Sequence, residues 1–291
     1  MKNAVIVEGI NFFNIKQILE SGQIFRFQKI NDTTYIIVAK DKVIKVGHQP
    51  NSTSILICNS TVGDLEQIWK PYFDLETNYE EIIDTLNNKD EHMQTAIRFG
   101  EGIRILRQDP WEMLISFIIS QNNSIPQIKN CIENITRKFG EKLENIDSEI
   151  EFYSFPSPED LVKVSEEELR ECKVGFRAPY IMDACKKIIE EEINLNEIFT
   201  MKTELARDTL MKIKGVGPKI ADCILLFSYG KMEVFPTDVW IKRVIEGLYF
   251  EGKEQKLRDI QQFAKEYYGE LAGYAQQYLF YYAREHELFK K

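Results

Sequence analysis

A short segment with two glycines and a proline places the strongest constraint on how this chain folds. It runs from Leu210 to Asp222 and reads LMKIKGVGPKIAD. Gly215 and Gly217 allow the backbone to turn sharply and to approach a ligand closely. Pro218 suits the first position of a helix, where its missing N–H costs nothing. The segment therefore predicts a helix, a tight hairpin and a second helix.

The hairpin brings a lysine next to a predicted anion site. Free N–H groups at a helix start bind anions, so the backbone of Gly215, Val216 and Gly217 is a candidate phosphate site. Lys219 lies on the first turn of the second helix, where the dipole disfavours further positive charge, a setting typical of nucleophilic lysines. On their own, the glycines favour a plain helical hairpin with a solvated lysine. Lys219 together with Asp238, in the sequence FPTD, favours a catalytic site.

Length and composition limit the class of protein. At 291 residues the chain is long enough for two domains. No stretch approaches the roughly 20 apolar residues of a membrane span, and the first residues lack the apolar region of a signal peptide. We therefore expect a protein of the cytoplasm, or of the nucleus in a eukaryote, with no membrane partner.

The cysteines and histidines do not predict a metal site. The three histidines lie far apart, so we assign no metal to them. The cysteines are scattered and odd in number, which favours reduced thiols over a disulfide framework. They are Cys58, Cys131, Cys172, Cys185 and Cys223.

The charge distribution is compatible with DNA despite a net charge of −9. Net charge governs long-range attraction, whereas contact depends on a local patch. Within residues 201–219, five basic side chains stand against two acidic ones, a local excess of three positive charges. Acidic runs such as Glu166–Glu168 lie elsewhere and are typical of a solvated helix face.

The hydrophobic pattern changes near residue 95 and predicts an α+β fold. Before that point, short β-branched runs separated by turn residues predict an antiparallel sheet with flanking helices, in a domain of residues 1–94. After it, apolar residues recur at helical spacing, which predicts a mainly α-helical catalytic domain of residues 95–291. The helix-hairpin-helix motif occupies about residues 203–230 of that domain.

Five segments in the same order resemble the 8-oxoguanine DNA glycosylases, a group within the helix-hairpin-helix–GPD superfamily. One is the hairpin with its following aspartate, and the others are SGQIFRF (21–27), SFIISQNN (116–123), GFRA (175–178) and AGYAQQYLF (272–280). Together they span most of the chain. Some relatives hold an iron–sulfur cluster with four cysteines near the C-terminus. No cysteine follows Cys223, so we expect no cluster and no other cofactor.

The resemblance implies a bifunctional DNA glycosylase and AP lyase of base excision repair. Such an enzyme flips 8-oxoguanine out of duplex DNA and removes it. Lys219 is then the amine that attacks C1′ of the deoxyribose, forming a Schiff base that permits β-elimination of the 3′ phosphate. Asp238 stabilises the developing positive charge and assists proton transfer, and it can cap a helix at the same time. The expected partner is double-stranded DNA with an oxidised guanine, and a monomer is expected.

Four residues match the positions that form the family's base pocket. Cys223 and Phe280 match the pair that sandwiches the flipped base. Gln276 matches the residue that binds its Watson–Crick edge, since an amide can both donate and accept. Gly22 matches the glycine whose carbonyl accepts the N7–H that 8-oxoguanine has and guanine lacks. Each residue alone is also typical of a core or a turn, so only their shared order supports the pocket.

Four further residues match positions that contact the rest of the duplex. Asn122 and Phe176 match residues that fill the gap left by the flipped base and wedge the duplex open. Arg177 matches an arginine that contacts the orphaned partner base; otherwise Phe176 and Arg177 form an aromatic group under a surface cation. Gln127 stands where an arginine usually helps to read cytosine, which predicts a relaxed opposite-base preference. Trp240 also departs from the pattern, since a histidine usually follows the aspartate by two.

Two other functions remain open at this point. A helix-hairpin-helix glycosylase can act on another damaged base, such as an alkylated purine or an oxidised pyrimidine. Gly22, Gln276 and Phe280 favour 8-oxoguanine over these. A non-catalytic DNA-binding module can also carry the hairpin, but it does not need Lys219 and Asp238.

Overall fold

The N-terminal part of the protein is a five-stranded antiparallel sheet. We describe a computed structural model that covers residues 3–49, 52–144 and 150–289. The strand order is β1-β5-β4-β3-β2, so the first strand of the chain pairs with the last. The strands are β1 (Ala4–Val7), β2 (Phe27–Asn31), β3 (Thr34–Ala39), β4 (Lys42–His48) and β5 (Ile55–Cys58).

Helices make up most of the remaining described chain. Three of the shortest helical turns are 3-10 turns at Gly175–Arg177, Glu197–Thr200 and Gly269–Leu271, and Leu65–Trp69 is a π-helical turn. The α-helices are α1 (Ile15–Glu20), α2 (Val62–Asp64), α3 (Lys70–Tyr72), α4 (Tyr79–Asn87), α5 (Glu91–Gly100), α6 (Pro110–Ser120), α7 (Ile125–Phe139), α8 (Pro158–Leu161), α9 (Glu166–Glu171), α10 (Ala178–Ile189), α11 (Thr203–Leu210), α12 (Pro218–Phe227), α13 (Val239–Tyr249), α14 (Leu257–Tyr268) and α15 (Ala272–Glu285).

Local sequence signals explain where many helices begin. Asp109 accepts hydrogen bonds from the first backbone N–H groups of α6, and Pro110 occupies the first turn of that helix. Ser157 and Ser165 each form a reciprocal capping box at α8 and α9. Pro218 opens α12 as predicted, with Gly217 as its N-cap. The side-chain caps of α6, α8 and α9 satisfy N–H groups that a helix start otherwise leaves unpaired, whereas Gly217 provides no such bond at α12.

Two large hydrophobic cores stabilise the fold. The smaller core lies between the sheet, α1 and the segment Leu65–Leu75, with Trp69 fully buried. The larger core joins helices α4 to α15. The predicted domain boundary after residue 94 falls inside α5, whose buried Met93, Ala96 and Ile97 pack in the larger core. The division into domains 1–94 and 95–291 remains a prediction.

The predicted α+β fold is confirmed, with an N-terminal antiparallel sheet followed by helices around a helix-hairpin-helix motif. Strand β1 was not identified from the sequence, although three of its four residues are β-branched; its partner β5 lies far away in sequence. Helix α9 ends at Glu171, and Gly175 starts a 3-10 turn. Over the described ranges, a search for a helix able to cross a membrane finds none.

Candidate active site

The hairpin between α11 and α12 has the geometry that its glycines predict. Gly215 has a φ of +79°, and a Cβ there would lie 2.5 Å from the ring of Tyr180, so only glycine fits. Nothing lies within 4 Å of the position that a Gly217 Cβ would take. The side chain of Val216 is buried in the larger core, so it anchors the loop. The backbone of this turn is therefore open on one side to a ligand.

Lys219 and Asp238 line one cavity, although they belong to different helices. Lys219 lies on the first turn of α12, with its Nζ 5.5 Å from the centre of the Phe117 ring. Asp238 is the N-cap of α13 and accepts the backbone N–H of Ile241 at 2.7 Å. This bond orients the carboxylate and leaves a second oxygen for other contacts. The structure thus brings the two predicted catalytic residues to a shared, partly enclosed site.

All four predicted base-pocket residues line the same cavity, which has a volume of about 70 Å³. They come from the start of the chain, from α12 and from α15, so the fold assembles the site from three distant segments. Sequence reasoning did not assign six further lining residues, although Ser21, Phe117 and Gln277 lie in segments quoted for the resemblance. The lining residues are Ser21, Gly22, Phe117, Lys219, Cys223, Phe227, Pro236, Asp238, Ile241, Gln276, Gln277 and Phe280.

Gln276 brings an unused hydrogen-bond acceptor to the cavity. Its side chain is 5% exposed, and its Oε1 has no hydrogen-bond partner. A buried polar atom without a partner costs about 1–3 kcal/mol, so a native structure that keeps one usually has a reason. The neighbouring Gln277 has a structural contact, since its Nε2 donates to the Ser21 carbonyl at 3.0 Å. Of the two amides, Gln276 therefore presents an acceptor that is available to a ligand.

Cys223 and Phe280 provide the apolar surfaces of the cavity. Burial raises the pKa of the Cys223 thiol to about 11, and the nearby Lys219 ammonium only partly offsets that effect. Cys223 is thus a neutral, apolar contact at physiological pH. Phe280 packs edge-to-face with Trp240 at 5.7 Å, and the Trp240 indole donates to the Leu288 carbonyl at 2.8 Å. Trp240 therefore packs against Phe280 at the position where relatives of the expected family often carry histidine.

A second surface carries the residues predicted to contact the duplex. Phe176 is 50% exposed, and its ring centre lies 4.4 Å from the guanidinium carbon of Arg177. Asn122 is exposed and has a φ of +47° at the turn after α6. Gln127 is exposed in the first turn of α7. None of these four residues lines the cavity that holds Lys219.

Arg177 has different surroundings from those expected of a surface cation or of a base contact. Its side chain is buried and donates to the backbone carbonyls of Gln121, Asn122 and Val174. These carbonyls surround the guanidinium because the 3-10 turn at Gly175–Arg177 packs against the end of α6. In this conformation Arg177 supports the Asn122 turn, and its contact with a partner base remains a prediction.

A wider groove adjoins the cavity on the hairpin side. It has a volume of about 990 Å³, is also lined by Lys219, and contains more basic than acidic side chains. Its lining includes an ion pair in which the partly buried Arg207 Nε lies 2.6 Å from Oδ1 of the buried Asp222. Burial raises the pKa of Asp222, and Arg207 counteracts this. The pair links α11 to α12 and so fixes the two helices of the hairpin. Among the described residues, we find no cluster of histidine, cysteine or carboxylate side chains suited to a metal ion.

Comparison with known proteins places this site in a family. Residues 5–114 match the N-terminal domain of 8-oxoguanine DNA glycosylases, and residues 115–270 match the HhH-GPD superfamily of base excision DNA repair proteins. Together these matches cover most of the chain. The protein belongs to the HhH-GPD superfamily. Within it, the protein is a member of the 8-oxoguanine DNA glycosylase family, as the sequence predicted.

Individual relatives agree with that assignment. The chain is 37% identical over 232 residues to a probable N-glycosylase/DNA lyase of Methanothermobacter thermautotrophicus, covering 73% of this chain and 72% of the relative. The solved structure of MBOgg1 with a low-affinity DNA ligand has a TM-score of 0.94 at 47% identity, covering 99% and 97% of the two chains. The 8-oxoguanine glycosylase/lyase of Clostridium acetobutylicum, bound to double-stranded DNA with cytosine opposite 8-oxoguanine, has the same score and coverage at 42% identity.

Proposed function

We propose that this protein excises 8-oxoguanine from duplex DNA and then cleaves the strand at the abasic site, with Lys219 as the nucleophile. The protein is a DNA N-glycosylase with AP lyase activity, and double-stranded DNA is its partner. The observation that carries the residue assignment is the shared cavity, in which Lys219 and Asp238 meet Gly22, Cys223, Gln276 and Phe280. A plain helical hairpin gives no reason for these groups to converge.

The residues that line the cavity have two tasks, recognition of the base and cleavage of the glycosidic bond. Gln276 offers an amide to the Watson–Crick edge, while Cys223 and Phe280 contact the two faces of the base. The Gly22 carbonyl accepts the N7–H of the lesion. Guanine instead presents a bare acceptor there, so a buried hydrogen bond is lost and discrimination of about 1–3 kcal/mol results.

Bond cleavage then follows at the sugar. The Lys219 amine forms a bond to C1′, the C1′–N9 bond breaks, and the base departs with the bonding electrons and takes up a proton. Ring opening of the sugar gives a Schiff base between Nζ and C1′. Loss of the C2′ proton then expels the 3′ phosphate by β-elimination. Asp238, held by its hydrogen bond to the Ile241 N–H, stabilises the positive charge that develops on the sugar.

The hairpin and the second surface hold the duplex around this cavity. The open backbone of Gly215, Val216 and Gly217 binds a phosphate of the lesion strand. Exposed Phe176 and the Asn122 turn fill the space that the flipped base leaves. We further propose that the opposite-base preference of the enzyme is relaxed and that the protein acts as a monomer. It would work in the cytoplasm or, in a eukaryote, in the nucleus.

Borohydride trapping tests the assignment of Lys219. The wild-type protein should form a covalent adduct with an 8-oxoguanine duplex when sodium borohydride reduces the Schiff base. Lys219→Gln should bind the same duplex but form no adduct and release no base. Lys186→Gln is a matched control, because Lys186 is exposed on α10 and pairs only at 3.8 Å with Glu190. Normal trapping by Lys219→Gln would show that another amine is the nucleophile.

A further inference from the structure

The base cavity is closed in this structure. Its volume of about 70 Å³ compares with about 300–1,000 Å³ for pockets that hold small molecules, so a purine does not fit without movement. The Phe280 ring is the obstruction, because its Cε1 lies only 3.0 Å from the position that a Cβ on Gly22 would occupy. Phe280 therefore rests directly against the Gly22 backbone. A base that enters between them has to displace the ring.

Arg284, one turn beyond Phe280 on α15, contacts both sides of this closure. The Arg284 guanidinium donates to the backbone carbonyl of Glu20, and the central carbon of the guanidinium lies 5.6 Å from the centre of the Phe280 ring. One of its terminal nitrogens is 3.1 Å from the Cβ position of Gly22. One side chain thus joins α15 to the turn Glu20–Ser21–Gly22.

The exposure of Arg284 separates this contact from an ordinary surface ion pair. Its side chain is only 19% exposed, whereas its acidic partner Glu285 is 42% exposed. An exposed pair with an adjacent residue contributes little to stability. A hydrogen bond from a guanidinium to a partly buried backbone carbonyl is considerably stronger. The bond to Glu20 is therefore the contact that fixes the side chain.

Gly22 depends on outside support for its conformation. Its φ of +88° lies in the left-handed region. A glycine can adopt many other backbone conformations as easily, so its own sequence does not fix this one. The turn is held by Gln277, through the Ser21 carbonyl, and by Arg284, through the Glu20 carbonyl. Both supports come from α15, the helix that also carries Gln276 and Phe280. On the other side of Gly22, buried Gln23 is fixed by hydrogen bonds to the Arg104 carbonyl and the Leu106 N–H. Helix α15 therefore fixes the Glu20–Ser21 side of the turn relative to Gln276 and Phe280.

We propose that Arg284 is a positioning residue for lesion recognition. Its guanidinium holds the Glu20–Ser21–Gly22 turn at a fixed place relative to Phe280, so that the Gly22 carbonyl points at N7 of the entering base. This inference rests on the proposed function, since it assumes that Gly22 reads 8-oxoguanine. Loss of Arg284 should therefore lower the selectivity for 8-oxoguanine and leave bond cleavage largely unchanged.

The test compares excision of 8-oxoguanine with excision of its 7-deaza analogue, which lacks the N7–H donor. Single-turnover rates are measured at subsaturating and saturating enzyme for the wild type, Arg284→Met and Arg284→Lys. Methionine keeps much of the length but cannot donate, whereas lysine keeps a charged donor. Arg137→Met is the matched control, because Arg137 also lies over a ring, that of Tyr153, and also pairs with a glutamate.

We expect Arg284→Met to reduce the ratio of the two rates about 10-fold, the effect of weakening one well-aligned hydrogen bond. The change should appear at subsaturating enzyme, while the saturating rate on 8-oxoguanine stays within about 2-fold, because Lys219 is untouched. Arg284→Lys should restore most of the ratio, and Arg137→Met should leave it unchanged. A structural defect alone lowers both rates equally and leaves their ratio constant.

The other outcomes identify what has failed. An unchanged ratio in Arg284→Met overturns the role of Arg284, even when the wild type excises 8-oxoguanine. Equal wild-type rates on the lesion and its analogue also overturn it, because no N7–H contact then exists to be positioned. A wild-type protein that excises neither base refutes the proposed function itself.

Discussion

Asp238 allows structural and chemical contributions to be separated with two substitutions. Its carboxylate accepts the Ile241 N–H at 2.7 Å and caps α13. Asparagine caps helices about as well as aspartate, whereas alanine does not. Asp238→Asn therefore removes the negative charge and keeps the cap, while Asp238→Ala removes both.

The two variants should differ in stability but show a similar loss of excision activity. Losing the cap in Asp238→Ala should lower the free energy of unfolding by about 1 kcal/mol, which for a chain of this size lowers Tm by about 2 °C. Asp238→Asn should change stability by only a few tenths of that. Both should reduce single-turnover excision about 100- to 1,000-fold, the usual effect of removing one charge-stabilising group from an active site.

The assays are thermal unfolding and single-turnover excision on the same 8-oxoguanine duplex. Asp109 provides a control, because it caps α6 through bonds of 3.0 Å to two N–H groups but does not line the cavity. Asp109→Ala should lose stability and retain excision. An Asp238→Asn variant with wild-type excision would refute the chemical role and leave Asp238 as a helix cap alone.

Three other predictions follow from the same structure. Gln127→Arg should increase the preference for cytosine opposite the lesion by about 1–3 kcal/mol, because arginine supplies more hydrogen-bond donors. Single-turnover rates on duplexes with each of the four bases opposite the lesion measure this preference, and a wild type that acts only opposite cytosine contradicts the prediction. Arg207→Met should cost about 3 kcal/mol in denaturant unfolding, because Asp222 is left buried and unpaired, and adding Asp222→Leu should recover most of this. Cys223, with its pKa raised to about 11, should resist alkylation by iodoacetamide at pH 8 in the folded protein but not in urea. Mass spectrometry of the labelled protein measures this, and rapid alkylation of Cys223 in the folded protein would disprove its burial.

Much of the site could be predicted because its signals are local. The positions of Gly215 and Pro218 follow from backbone rules that act within a few residues. The capping role of Asp238 was likewise an available interpretation of its position before a helical pattern. The family order of the segments then pointed to Gln276 and Phe280, neither of which has a distinctive local pattern.

Other features depend on contacts that no local pattern records. The buried state of Arg177 arises from carbonyls more than fifty residues earlier in the chain, at Gln121 and Asn122. The missing partner of Gln276 Oε1 is a property of the assembled cavity. Arg284 carries no motif, and its bond to Glu20 is visible only once α15 packs beside the start of the chain.

The hydrogen bond between Gln277 and Ser21 has a consequence for synthesis of the protein. It joins residues separated by 256 positions, and the base cavity lies beside it. At typical ribosomal speeds of about 5–20 residues per second, roughly 10–50 s pass between translation of the two ends. Until α15 emerges, the nascent chain holds Lys219 and the hairpin but lacks Gln276 and Phe280, the residues of α15 that we propose bind the base. On that proposal, the chain acquires its ability to recognise a lesion last.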